Sequence, residues 1–315
     1  MNIPAQAKKP FVSRIWTYSL EMFPVLIYLP YVIALYLCLN FVTQALTTRS
    51  IVLDINGVVG MITAFFMMLQ MRTFDDLKDI EIDKDLFPDR ATPRGAVLKS
   101  DIQIISGVSF CILLATNLIY GEKTLFVFSI MLLYAVLTFK WFFAEKYHRE
   151  HVFFTMLTHQ PLPVMINFFL IHTALASGWV YEAFEFRHFL LLLIFSLPIT
   201  AWEVSRKIRS ADREDDYETF SRLFGARGAA MIPLTCLLIA GILSIYIGMQ
   251  LDLDGTHLMI ALALIAYVLV YYGRFLLYPT HKNNVLKNTS MVFTTLLFFN
   301  LLVHTLLITN VTVNL

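Results

Sequence analysis

Apolar runs close to twenty residues long recur along almost the whole of the 315-residue chain. Each is long enough to cross a hydrocarbon core about 30 Å thick at about 1.5 Å per residue. The runs fall at 22–43, 51–71, 102–120, 124–144, 152–176, 188–204, 226–249, 256–278 and 289–310. Backbone immersed in lipid must satisfy its own polar groups, so these stretches fold as helices, and the expected class is all-α: a polytopic membrane helical bundle of about nine transmembrane helices. A soluble globule is excluded by 58% hydrophobic against 15% charged residues and a mean hydropathy of +0.68. A net charge of +1 lacks the excess of Lys and Arg that a nucleic-acid partner demands.

Nine crossings put the two ends on opposite faces of the bilayer. With the segment 1–21 in the cytoplasm, the cytoplasmic connections hold 21 of the 24 basic residues, and only Arg49, Lys123 and Arg187 fall outside. This is the asymmetry of the positive-inside rule. No cleavable signal is expected, since Lys8, Lys9 and Arg14 precede the first span. The protein is expected to be integral to the membrane, the plasma membrane if the source is bacterial. Cys38, Cys111 and Cys236 lie in different spans without CxxC spacing and read as three buried membrane thiols.

The acidic residues are more concentrated still. Eight carboxylates lie from Asp75 to Asp101 and six from Glu203 to Glu218, fourteen of twenty-three in the two cytoplasmic loops 72–101 and 203–227. The loops follow the second and sixth spans, as in a chain made of two related halves. In the first loop Asp75, Asp79 and Asp83 stand four residues apart, so on a continuing helix they share one face, with Asp76 beside them. Like charges at that spacing repel, and hard oxygens so grouped suit Mg²⁺, which binds one or two carboxylates together with substrate phosphates. Pro88, Pro93 and Gly95 end the helical pattern, and Arg90 and Arg94 bring guanidinium groups alongside.

In the second loop Asp212 and Asp216 form another i, i+4 pair, while Glu203, Arg206 and Lys207 share a helix face at the end of the sixth span. Both signs are mixed there, so salt bridges within the loop compete with metal binding as the reading. Two carboxylate clusters on one side of the membrane, each with Arg or Lys beside it, can hold divalent ions around a diphosphate.

DDLKDIEIDKDLFPDRATPRG resembles the first aspartate-rich motif of the UbiA superfamily of intramembrane prenyltransferases, and ADREDDYETFSRLFG resembles the second. The nine-span count is similar too, so the resemblance covers nearly the whole chain and implies a single transmembrane domain over 1–315. Asp75 stands where the family has Asn, and the second loop departs from the family in Glu203, Arg206 and Lys207 and in lacking a Gly-containing stretch after its aspartates.

The resemblance implies Mg²⁺ held by Asp75, Asp79, Asp83, Asp212 and Asp216, with Asp76 also catalytic. It implies an isoprenyl diphosphate donor, with Lys140 near the diphosphate, and an aromatic or other nucleophilic acceptor; Arg90, Arg94, Arg206 and Lys207, the basic neighbours of the carboxylates, are expected to meet the diphosphate and neutralise charge that develops on it. Lys140 either reaches the diphosphate or snorkels to the interface. Glu203 and Asn167 have no fixed role; Asn167 lies with His159 and Gln160 beside Pro161 and Pro163, lining a cavity or joining helices.

His148 and His151 form an HxxH pair without further ligands, and Asp54 reads as an interfacial cap of the second span. Aromatic clusters such as Phe65–Phe66, Phe139–Trp141–Phe142 and Tyr271–Tyr272 read mainly as belt residues. Two rivals use the same residues. A membrane terpene cyclase would quench the allylic cation with the chain's own double bonds. A cation transporter would gather metal on the acidic loops, although transport sites place ionisable groups near the midplane.

Overall fold

The computed structural model describes residues 9–178, 181–210, 213 and 219–314. In chain order the elements are α1 (Phe11–Glu21), α2 (Val25–Thr48), β1 (Ile51–Asp54), α3 (Ile55–Lys78), α4 (Ile80–Leu86), α5 (Lys99–Tyr120), α6 (Leu125–Phe139), α7 (Glu145–Glu150), α8 (Val152–His159) and α9 (Pro161–Ala176). They continue with α10 (Phe186–Ser205), α11 (Phe220–Gln250), α12 (Gly255–Leu277), α13 (Leu286–Ile308) and β2 (Val311–Asn314). Among the described residues nine helical segments are long and apolar enough to cross a membrane, as the periodicity of apolar runs requires.

The departures from the sequence reading have local causes. Residues 51–54 are a strand and not the start of the second span, because Ile51, Val52 and Leu53 pair in parallel with Val311, Thr312 and Val313, a match of residues suited to a pleated surface. The second span instead begins at Ile55 and runs on to Lys78. The fifth is interrupted after Gln160, where Pro161 opens α9 at a first-turn position that needs no N–H donor. In α11 a first turn precedes Gly225, whose φ of 71° and ψ of 156° suit only glycine; the spanning stretch starts after it.

The chain divides into two compact units, Met1–Tyr36 with Ile55–Phe143, and Leu37–Asp54 with Ala144–Leu315. In the first, α3 and α5 run antiparallel, linked by three polar rungs. Asn117 Nδ2 donates to Thr63 Oγ1 at 2.8 Å, Ser109 Oγ to the Phe66 carbonyl at 3.0 Å, and Gln70 Nε2 to Ser106 Oγ at 2.7 Å. With lipid as apolar as leucine, such bonds hold helices together at about 0.6 kcal/mol each. Below them Tyr18, Met22 and Phe23 pack with Ala91, Ala96, Val97 and Ile102, so the turn after the first acidic motif is part of a core and not a loose loop.

In the second unit a buried triangle joins α10, α12 and α13: Ser205 Oγ and Tyr272 OH are 2.8 Å apart, Tyr272 OH and Ser290 Oγ 2.8 Å, and Ser205 Oγ and Ser290 Oγ 3.1 Å. Tyr272 is therefore a core residue and not a belt residue. Gly241 lets α11 approach α12, since a Cβ there would lie 2.7 Å from Ile265 Cγ1. Asp54 accepts from Ser177 Oγ and the Gly178 amide, both at 3.0 Å, and so ties down the end of α9. Of the three thiols only Cys38 is fully buried; Cys111 is exposed on α5, an apolar helix surface suited to lipid.

Candidate active site

The first motif is carried by the last turn of α3, by Asp79, and by α4. Asp79 has φ −100° and ψ 6°, which bends the chain between the two helices. The backbone ladder nevertheless continues through the bend: the Asp79 amide donates to the Asp75 carbonyl at 3.0 Å and the Asp83 amide to the Asp79 carbonyl at 2.8 Å. The four-residue register inferred from the sequence is thus kept, although the helix is not straight.

The side chains of this ladder fall into two groups. Asp76 and Asp83 are buried and held by arginines. Asp76 Oδ1 lies 2.6 Å from Arg72 Nη2, and Tyr18 OH donates to Asp76 Oδ2 at 2.9 Å. Asp83 takes both oxygens to Arg90 Nη1 at 2.8 Å, and the Arg90 guanidinium lies 4.0 Å from the Phe87 ring centre. Asp75 and Asp79 are not buried. The Asp75 carboxylate, 57% exposed, pairs with Lys78 Nζ at 3.0 Å. Arg94 is engaged elsewhere, by a bidentate pair with Glu21 at 2.6 and 2.7 Å and a bond to the Asp89 carbonyl.

The end of α6 packs beside this motif. Phe74 and Phe139 stack at 4.3 Å, and Lys78 Nζ sits 4.4 Å over the Trp141 ring. Lys140, at the C-cap of α6, is exposed between these two contacts and 5.2 Å from the Phe139 ring centre. Trp141, Phe142 and Phe143 follow with φ of 51°, 49° and 61°. Three consecutive bulky residues in the left-handed region cost about 1–2 kcal/mol each, and the turn they make is what brings the indole onto Lys78.

Asp212 and Asp216 lie outside the described residues. At the start of the second loop Glu203 holds Arg206 through two bonds of 2.6 Å and Lys207 at 3.3 Å, the internal salt bridges that the mixed charges allowed. Asn167 is buried and donates to Ser196 Oγ at 3.1 Å, joining α9 to α10. His148 Nδ1 meets Thr155 Oγ1 at 3.3 Å and His151 stacks on Tyr147 at 4.1 Å.

Among the described residues no group of three or more His, Cys, Asp or Glu side chains is arranged to hold a metal ion by itself. Mg²⁺ does not need one, because it takes one or two carboxylates and completes its shell with water and phosphate oxygens. Asp75 and Asp79 supply hard donors of that kind, and the donor set fits the ion. Asp76 and Asp83, each already neutralised by an arginine, brace the ladder.

The chain matches the model of the UbiA prenyltransferase family over residues 32–302. It belongs to that family. Two solved structures share the fold. One, described as "Structural and mechanistic insights into the biosynthesis of Digeranylgeranylglyceryl phosphate synthase in membranes", is 15% identical with a TM-score of 0.67 and covers 93% of this chain and 98% of its own. The other, the apo structure of a UbiA homolog from Aeropyrum pernix K1, is 16% identical with a TM-score of 0.62 and covers 86% of this chain and 96% of its own. No curated protein matches the sequence significantly. This UbiA-family chain is therefore an integral, multi-pass membrane prenyltransferase.

Sequence reasoning missed Arg72, Lys78, Tyr18 and Trp141 as neighbours of the first motif. The i, i+4 spacing of Arg72 and Asp76 was a readable signal. Tyr18 gave none, being 58 residues from its partner.

Proposed function

We propose that the protein transfers an isoprenyl group from an isoprenyl diphosphate to an aromatic or other nucleophilic acceptor, with Mg²⁺ as cofactor. The observation that carries this reading is the division of the first motif into braced carboxylates, Asp76 and Asp83, and more accessible ones, Asp75 and Asp79, with Lys78 paired to Asp75 and Lys140 exposed at the end of α6. Asp75 and Asp79 would hold Mg²⁺, which supplies charge neutralisation of the diphosphate as it leaves. Asp83 remains a further ligand should Arg90 turn to the diphosphate, and Asp212 and Asp216 have the corresponding role in the second motif.

In the reaction the allylic carbon–oxygen bond breaks and its electron pair departs with the diphosphate. The acceptor's electron pair then forms the new bond to the allylic cation, and the acceptor loses a proton. Lys140 stabilises the growing charge on the leaving group by charge-assisted hydrogen bonds, and Lys78, now enclosed by Asp75 and Trp141, does so once Asp75 turns to the metal. Arg90 and Arg94 are proposed as further diphosphate contacts, available once their acidic partners Asp83 and Glu21 release them. Arg206 and Lys207 are placed likewise with respect to Glu203. The aromatic side chains at the end of α6 offer π faces to a cation, worth about 0.5–2 kcal/mol each. Both acidic loops are proposed to face the cytoplasm, following the distribution of basic residues.

The test is diphosphate release from isoprenyl diphosphates of five to twenty carbons, with and without Mg²⁺ and with candidate acceptors. Removing divalent ions with EDTA should abolish release and adding Mg²⁺ should restore it. Cyclic hydrocarbon or alcohol formed without an acceptor would move the assignment to a terpene cyclase. Saturable metal uptake into liposomes with no diphosphate release from any substrate would move it to transport.

A further inference from the structure

Helix α1 has two unlike faces. Arg14 and Tyr18 turn inward: Arg14 bonds Asp101 through Nε at 2.7 Å and Nη2 at 2.8 Å, and Tyr18 bonds Asp76, while the exposed Glu21 at the end of the helix pairs with Arg94. Asp101 is itself buried and accepts from the Leu98 amide at 2.9 Å, so this anchor is firm. On the opposite side Val12, Trp16 and Leu20, four residues apart, are all exposed. An aqueous surface would leave this apolar stripe unpartnered.

What covers it follows from the next element. Only Met22, Phe23 and Pro24 separate α1 from α2, the first membrane span, whose Leu26 and Ile27 are 81% and 69% exposed and face lipid. A helix joined so closely to the lipid end of a span lies at the membrane surface, and its apolar stripe continues the lipid-facing surface of α2. An apolar face with a Trp, set against a polar face, is the pattern of a helix lying in the headgroup layer.

We infer that α1 is an interfacial helix whose Val12–Trp16–Leu20 stripe is inserted in the bilayer surface, and that the bilayer thereby sets the position of Tyr18 against Asp76 in the first motif. The inserted stripe holds the helix from outside while Arg14 and Tyr18 hold it from within. Tyr18 acts as a positioning residue through Asp76. This second clause rests on the prenyl-transfer reading; the insertion does not.

The test uses the full chain in phospholipid vesicles, with Cys111→Ser and Cys236→Ser as background. Nitroxide labels are placed at Val12→Cys, Trp16→Cys and Leu20→Cys, with Lys9→Cys as an aqueous control. Collision with oxygen should exceed collision with a water-soluble nickel complex at the three stripe positions, and the order should reverse at position 9. Aqueous accessibility at all three stripe positions would overturn the insertion, whatever the enzyme assays give.

For the coupling, the double variant Trp16→Ser/Leu20→Ser leaves Arg14, Tyr18 and Glu21 in place. It should reduce the rate of diphosphate release at least fivefold, and return of the rate on restoring Trp16 alone would support coupling through the stripe. Unchanged release would overturn the coupling while the insertion stands. Failure of the wild-type chain to release diphosphate from any isoprenyl substrate would instead remove the prenyl-transfer reading, and the accessibility pattern would still decide the insertion.

Discussion

Replacing Arg72 with Met keeps the length and apolar stem of the side chain and removes the charge facing Asp76. The Asp76 carboxylate is only 3% exposed, so it cannot turn to water when its 2.6 Å partner is lost. Breaking a buried ion pair by removing one member costs about 3–5 kcal/mol. Here the Arg72 side chain is 31% exposed, so solvent already screens the pair, and the Tyr18 hydrogen bond remains. Both reduce the loss, and we expect about 2–3 kcal/mol.

The measurement is a double-mutant cycle of Arg72→Met with Asp76→Asn, read by steric-trap or reversible denaturation of the detergent-solubilised chain. The neutral amide no longer needs the guanidinium, so the double variant should recover most of the single loss, with a coupling of about 1.5–2.5 kcal/mol between the two sites. An Arg72→Met chain within about 0.5 kcal/mol of wild type, or additive effects, would refute the claim that Asp76 is braced by Arg72.

Asp79→Ala should lower diphosphate release at least about a hundredfold while the chain still folds and inserts, and activity within threefold of wild type would count against the first motif as a metal site. Lys78→Met should raise KM for the isoprenyl diphosphate about tenfold, the effect of one lost charge-assisted bond of about 1.4 kcal/mol, whereas Trp141→Leu should do so less. Burial and the adjacent Asp76 carboxylate raise the Tyr18 phenol above its ordinary value. An unfolded tyrosine ionises near pH 10 while this one stays neutral, so its contribution is complete below that pH and is lost as pH rises further. Thermal stability should therefore fall more steeply above about pH 10 in wild type than in Tyr18→Phe.

The membrane architecture was legible because hydrocarbon thickness fixes a length that the apolar runs repeat, and each of the nine expected spans overlaps one of the nine apolar helical segments among the described residues, although five ends differ by five to eight residues. Their edges were less so. Apolar residues 51–53 satisfy a helix pattern and a strand pattern equally, and only the distant 311–313 decides between them. In the site, the spacing of Asp75, Asp79 and Asp83 carried the backbone register correctly through the bend at Asp79. What it could not carry was the burial that separates Asp76 and Asp83 from Asp75 and Asp79. For Asp76 that involves Tyr18, brought in by a core that no local pattern announces. The left-handed turn at 141–143 was likewise invisible, since no glycine or asparagine marks it.

The parallel pairing of Ile51–Asp54 with Val311–Asn314 bears on how the molecule is made. The first strand leaves the ribosome just after the first span, but eight further spans must be threaded through the insertion machinery before its mate is synthesised. At usual translation speeds that interval is on the order of tens of seconds. Throughout it Ile51, Val52 and Leu53 stand at the membrane boundary as an unmated sheet edge, a state in which a chaperone or a neighbouring nascent chain competes for them. Closing this seam is a late step of biogenesis, and a truncation that removes the second strand should be cleared by quality-control proteases even though every span is present.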